Sequence, residues 1–335
     1  SMMARAVVLS KPRMQFSYTQ AGRGGHTRGQ RGRRWGARRV VFGQSDGCAG
    51  PKCGFGRSFG MNRPLAFDND GLAAKANAPS ADSVLAAKGR SFHWARHGLS
   101  AVHAARATRL YRLCRHIDDL ADESPSRAWA QQALSEVAAS IRADQSDDPI
   151  LQDGLTLMRE CDMDPAVFLD LIAGVQSDLQ PVRMPDLDAL LRYCYQVAGT
   201  VGLMMCKVLD TDARAAFPHA IDLGMAMQLT NICRDIAADA KLDRRYLPAS
   251  MVGHLSPAQL LRPTAAESVA LQACVARLLD CADTYYQSGE LGLSYLPVRA
   301  RAGMLVAARV YRAIGTQLRA QDGAAGSTRA MVSPR

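Results

Sequence analysis

From about residue 80 onward the chain repeats apolar positions at i, i+3 and i+4, and prolines mark where the pattern breaks. That spacing lines one face of an α-helix. It predicts helices near 82–108 (with an interruption), 109–122, 127–143, 149–160 and 165–179, then near 186–209, 213–242, 266–288 and 298–320. Pro125, Pro149, Pro165, Pro181, Pro185, Pro218, Pro248, Pro263 and Pro297 fall between these segments or at their ends, where proline is tolerated. Asp164-Pro165 and Ser256-Pro257 read as N-caps followed by a first-turn proline. No stretch alternates apolar and polar residues as a half-buried strand does, and no long repeat recurs. The expected fold is all-α, one helical domain over residues 61–335.

Composition changes this picture at one end. Residues 1–60 hold twelve Lys or Arg against one acid, Asp46, so the net charge of +10 belongs to that arm; the remainder carries 29 basic and 30 acidic side chains. With "RGQRGRRWGARR" at its centre, the arm is Gly/Arg-rich, lacks apolar periodicity and reads as disordered. Three explanations fit it: an anionic-surface binder, an Arg-rich transit peptide that would leave a plastid location open, or translated sequence upstream of a start at Met61. Ser1 before Met2 looks like a cloning scar. In the body no basic surface is evident, so no nucleic-acid partner is expected. No apolar run reaches the roughly 18 residues that span a bilayer. A soluble or peripheral protein is expected. Nine cysteines occur singly, without C-x-x-C or a zinc-ligand His, which argues for buried thiols in a reducing compartment. "GFGRSFG" at 54–60 matches no dinucleotide fingerprint.

Two acidic segments carry the candidate chemistry. "LCRHIDDLADE" (113–123) crowds Asp118, Asp119, Asp122 and Glu123 onto the end of an amphipathic stretch. On a helix, Tyr111, Arg115, Asp118 or Asp119, and Asp122 share a face. In "QLTNICRDIAADAKLDRRYLP" (228–248), Gln228, Asn231, Asp235 and Asp239 do the same. One such pair of carboxylates reads most simply as a solvated face. Two, facing each other across a bundle, make an all-oxygen nest for Mg²⁺, which binds through a few carboxylates plus water and phosphate oxygens.

These segments resemble the two aspartate-rich motifs of the phytoene/squalene synthase family, head-to-head condensing isoprenoid synthases with an all-helical fold around a central cavity. "SFHWA" (91–95) resembles the family's Ser-Phe start, and "YCYQVAGTVGLMM" (193–205) its central helix. The likeness covers roughly residues 88–330. It implies that Asp118 and Asp122 bind Mg²⁺ (Mn²⁺ being an alternative) on one wall, with Asn231, Asp235 and Asp239 on the other. Ser91, Arg115 and Arg234 would hold diphosphate. Phe92 belongs to the same substrate-binding start. Tyr111, Tyr193, Gln228 and Tyr246 would line the reaction cavity, and Tyr311 and Arg329 would close its diphosphate end. Ala198, Gly199 and Gly202 would let prenyl chains pass close to the backbone, with a kink there. Tyr193 and Tyr195 also read as ordinary core aromatics, and Arg115 and Arg234 as ion-pair partners of their own aspartates. Ala238 stands where the family often has Glu, and Val298 where it often has Trp. Asp178 and Glu290 are expected to be surface acids; His93, His97, His103 and His116 structural or exposed; the Met204-Met205 and Met225, Met227 pairs core packing.

The activity implied is condensation of two geranylgeranyl diphosphates to phytoene through prephytoene diphosphate, for carotenoid biosynthesis, without NADPH. A farnesyl-using relative making squalene or dehydrosqualene is the alternative, and a non-catalytic assembly protein of the same fold a further one. The presence of Asp118, Asp122, Asp235 and Asp239 disfavours the last. No obligate protein partner is evident, and a cytoplasmic enzyme with peripheral membrane contact is implied.

Overall fold

A computed structural model describes residues 99–320. Twelve α-helices form there: α1 (Ala101–Asp122), α2 (Arg127–Ala143), α3 (Pro149–Glu160), α4 (Pro165–Ser177), α5 (Leu187–Cys194), α6 (Thr200–Val208), α7 (Ala216–Arg234), α8 (Ile236–Lys241), α9 (Ala249–Val252), α10 (Pro257–Leu261), α11 (Ala265–Gly292) and α12 (Val298–Ala320). Among the described residues there is no strand, only an isolated parallel bridge between Arg183 and Arg245. Ser91, Phe92 and Arg329 lie outside the described residues, as do the arm and the first part of the helix expected near 82–108.

Local chemistry starts the helices, and α2 to α5 begin within a residue of where the pattern placed them. Side chains of Ser100, Ser126, Asp148, Asp164 and Asp186 accept from backbone N–H groups in the first turns of α1 to α5, satisfying donors that have no intrahelical partner. Ser256 and Thr264 close reciprocal capping boxes with Gln259 and Glu267. Two expectations change. α1 runs unbroken through residues 108 and 109, because Ala107, Leu110 and Leu113 bury continuously along it. The single helix expected over 213–242 is broken at Asp235, which ends α7 with φ −102° and ψ 14°. The short helices α9 and α10 had no periodic signal long enough to predict their extent, although Ser256-Pro257 marked the start of α10.

Two hydrophobic cores result. One joins α1, α2, α3, α4 and α6 around Leu110, Ile117, Leu134, Leu157, Phe168 and Met204. The other joins α5, α7, α8, α11 and α12 around Leu190, Met225, Leu229, Leu278 and Tyr286. Where the kink was expected, Tyr195–Gly199 form a π-helical turn between α5 and α6, a common cause of helix bending. There the two cores meet.

Candidate active site

A cavity of about 280 Å³ opens between the cores, lined by side chains from both. Asp118 and Asp122 come from α1; Val175 from α4 and Asp178 from its end; Tyr193 and Val197 from α5 and the π turn. Gln228, Asn231 and Ile232 come from α7, Asp235 from the break, Asp239 from α8, and Arg244 and Tyr246 from the segment after it. The two acidic segments therefore do face each other. Breaking the helix at Asp235 did not separate its residues, since Asn231, Asp235 and Asp239 all reach the same space.

The structure chooses between Asp118 and Asp119. Asp118 lines the cavity, whereas Asp119 takes an ion pair from Arg115 one turn earlier. On the opposite wall Arg234 forms a two-pronged pair with Asp235, Nε–Oδ1 2.9 Å and Nη2–Oδ2 2.5 Å. Burial pushes the Asp118 carboxyl up to about 6, against the pull of Arg115 and helped by Asp122. Burial likewise pushes Asp239 up to about 7, with Asp235 adding to it and Arg244 opposing. Crowded, partly desolvated carboxylates of this kind favour a bound cation or a proton.

Two residues of the site were missed. Asp178, expected at the surface, is half-buried in the cavity and accepts the hydroxyls of Tyr193 and Tyr246, each at 2.8 Å. It ends a helix with no acidic partner nearby in sequence, so nothing local marked it. Arg244 lies 3.6 Å from Asp122 and reaches from one wall to the other. Burial by itself lowers its pKa, but Tyr246, Asp178, Asp122 and Tyr193 outweigh that and raise it. Its position inside the second acidic segment was the available signal.

Arg244 and Tyr246 are held by a clip. Asp243 turns the chain with φ +59°, a region Asp visits more readily than most residues. Arg245 then donates its N–H to Val182 O at 2.9 Å and accepts from Met184 N at 3.2 Å. Its buried guanidinium donates to Met184 O at 3.1 Å and Leu247 O at 2.5 Å. Alternation along this extended segment sends Arg244 and Tyr246 to the cavity and Arg245 away from it.

Other predicted residues sit nearby without lining the cavity. Tyr111 stands close to Arg115 on α1, and Tyr311 of α12 close to Arg234. At Gly202 a Cβ would fall 2.1 Å from the Ala220 carbonyl oxygen, so its smallness serves the crossing of α6 and α7. Ala198 also packs there, its carbonyl oxygen 2.3 Å from where a Cβ on Gly224 would lie. Val197, one residue earlier, is the side chain that reaches the cavity. Glu290 is not simply a surface acid either, since it pairs with Arg309 and Arg312 of α12.

The donor set fits a divalent cation that arrives with a phosphate ligand. Asn231 Oδ1 is buried in the cavity wall with no hydrogen-bond partner, an acceptor left open at a cost unless something binds it. Among the described residues no three His, Cys, Asp or Glu side chains converge closely enough to hold an ion alone. Mg²⁺-type sites commonly complete their shells with water and substrate phosphate oxygens.

A family sequence model described as squalene/phytoene synthase matches residues 85–335. The chain belongs to that family. It is thus one of the divalent-metal-dependent isoprenyl synthases, whose substrates are prenyl diphosphates. Family members similar to it include a 15-cis-phytoene synthase of Enterobacter agglomerans, 37% identical over 62% of this chain and 75% of the relative. A phytoene synthase of Pseudescherichia vulneris is 36% identical over 67% of this chain and 76% of the relative. Among solved structures, the squalene synthase HpnC of Alicyclobacillus acidocaldarius superposes with a TM-score of 0.64 at 21% identity, over 72% of this chain and 92% of that one. That likeness is one of fold, and it confirms the all-helical architecture. No helix among the described residues is long and apolar enough to cross a membrane.

Proposed function

We propose that this chain is a prenyltransferase condensing two geranylgeranyl diphosphates head to head to phytoene, with release of diphosphate, in carotenoid biosynthesis. The observation that carries the reading is the pair of carboxylate walls, Asp118 and Asp122 against Asp235 and Asp239, across one cavity. Similarity to several phytoene synthases favours the C20 substrate over the C15 one. Asp118, Asp122, Asn231, Asp235 and Asp239 would hold Mg²⁺, or Mn²⁺ in its place, and the bound ion supplies positive charge to the departing diphosphate. Arg115 and Arg234 offer planar donor forks to diphosphate oxygens, with Ser91, Phe92, Tyr111, Tyr311 and Arg329 completing the substrate site. Tyr193, Val197, Gln228, Ile232 and Tyr246 bound the space in which the allylic cations form and exclude water from it. No nicotinamide cofactor enters the reaction.

Residues 61–335 form the synthase domain in this reading and residues 1–60 are dispensable to it. The enzyme works in the cytoplasm against a membrane surface, which receives its apolar product. The test is incubation of the full chain, and of residues 61–335, with Mg²⁺ and geranylgeranyl or farnesyl diphosphate, with and without NADPH. A forty-carbon hydrocarbon with a conjugated central triene, formed from the longer substrate independently of NADPH, is expected from both proteins. A thirty-carbon product instead would move the chain to the squalene or dehydrosqualene branch.

A further inference from the structure

Both oxygens of the Asp178 carboxylate are occupied. Oδ2 accepts the Tyr193 hydroxyl and Oδ1 the Tyr246 hydroxyl, each at 2.8 Å. The two phenol oxygens stand 3.3 Å apart, and the rings, with centroids 5.0 Å apart, tilt 31° to each other. Tyr193 is 7% exposed and Tyr246 6%, and all three residues line the cavity.

A phenol has one hydrogen to donate and two lone pairs. Once its hydrogen is committed to a carboxylate, the oxygen only accepts from other groups. A carboxylate carries no hydrogen of its own, so it holds two phenols in the same polarity; an amide in its place offers one acceptor and one donor, and one phenol must reverse. We propose that Asp178 is a positioning residue that draws both phenol hydrogens to itself, leaving the lone pairs of Tyr193 and Tyr246 as an electron-rich, donor-free patch beside the carbocations of the condensation.

This rests on the prenyl synthase reading and goes beyond it in assigning Asp178 a role other than holding metal. Each of its oxygens already accepts one phenol hydrogen, while the acceptor without a partner at the metal wall is Asn231 Oδ1. Burial raises the Asp178 pKa, while the two phenol hydrogen bonds and the charge of Arg244 oppose that rise and favour the ionised carboxylate. The clip through Arg245 and the packing of both rings fix where the phenol oxygens stand, and the hydrogen bonds to Asp178 direct their hydrogens. Oriented dipoles of this kind stabilise developing charge because they need no rearrangement when it appears.

The experiment compares the full chain with Asp178→Asn, using geranylgeranyl diphosphate and Mg²⁺. It reads the single-turnover rate, KM, the half-saturating Mg²⁺ concentration and the thermal midpoint. The expected result is a fall of about 30-fold or more in the chemical rate, with KM and Mg²⁺ half-saturation each within about 2-fold of the parent. An unchanged rate overturns the proposal, and so does a loss restored by raising Mg²⁺, which would make Asp178 a metal ligand. If Asp178→Asn does not fold, Tyr193→Phe, Tyr246→Phe and the double variant replace it. Non-additive rate losses support a shared Asp178 anchor and strictly additive ones overturn it. Absence of turnover of any prenyl diphosphate by the parent chain overturns the function reading, and this proposal with it; normal parent turnover with an undiminished variant overturns this proposal alone.

Discussion

The α1 wall and the α7–α8 wall carry the same kind of carboxylate pair but hold it on different backbones. Asp118 and Asp122 sit one turn apart on an unbroken helix whose apolar face is buried along its length. Asp235 and Asp239 straddle a helix break, Asp235 ending α7 and Asp239 lying in α8. In each wall one carboxylate faces an arginine, Asp122 toward Arg244 and Asp235 toward Arg234. The other carboxylate, Asp118 or Asp239, is left with a raised pKa. Like charges on opposite walls are costly without a cation, so the site is strained when empty and relieved when loaded. The backbone difference between the walls does not alter that electrostatic pattern.

If the walls are equivalent, Asp118→Asn and Asp239→Asn should each lower turnover by at least about 10³-fold with normal helicity, since each removes charge that positions the departing diphosphate. Phosphate release and product mass read this directly. Retention of more than a tenth of parental turnover by either variant breaks the equivalence.

The second wall is set against the first core by the tight crossing of α6 and α7. Gly202→Ala places a methyl against the Ala220 carbonyl, and should destabilise the fold by about 2–3 kcal/mol. Chemical denaturation measures this. A stable variant with an altered product chain length would instead restore Gly202 to the prenyl channel.

Arg244 ties the walls together across the cavity. Arg244→Gln should lower the stability of the metal-free protein by about 2 kcal/mol, because it leaves Asp122 and Asp178 without their cation. Mg²⁺ with inorganic diphosphate should recover most of that loss in thermal melts. A melting point insensitive to the substitution would mean that the walls stand independently.

The smallest effect is pH-dependent. Burial pushes the Asp118 and Asp239 carboxyls up to about 6 and about 7 in the folded chain, from an ordinary 3.8. Between those limits the folded state binds more protons than the unfolded one, so stability falls as pH rises. Without metal, the midpoint should therefore be lower at pH 8 than at pH 5, by about 3 °C. Added Mg²⁺ and diphosphate should shrink the difference. A midpoint that rises with pH without metal would contradict both raised values.

Much of this was legible one residue at a time. Asp164-Pro165 and Ser256-Pro257 announced helix starts because their hydrogen bonds reach only a few residues along the chain. The acidic segments were legible for the same reason, since i, i+4 spacing places side chains on one face whatever packs against it. The break at Asp235 escaped because apolar spacing continues across it: Ile232 and Ile236 are both buried on either side. Asp178 escaped because its partners are Tyr193 and Tyr246, 15 and 68 residues away.

Sequence alone determined the helical class, two helix starts and the two acidic segments, because these follow from short-range periodicity and from residue types at fixed spacing, and its motifs carried the resemblance to the family. Only the tertiary structure decided that Asp118, not Asp119, enters the cavity, that Gly202 serves a helix crossing, and that Asp178 and Arg244 belong to the site. Each of those depends on which distant segment a side chain meets, and that is settled by how two hydrophobic cores pack around one polar cavity.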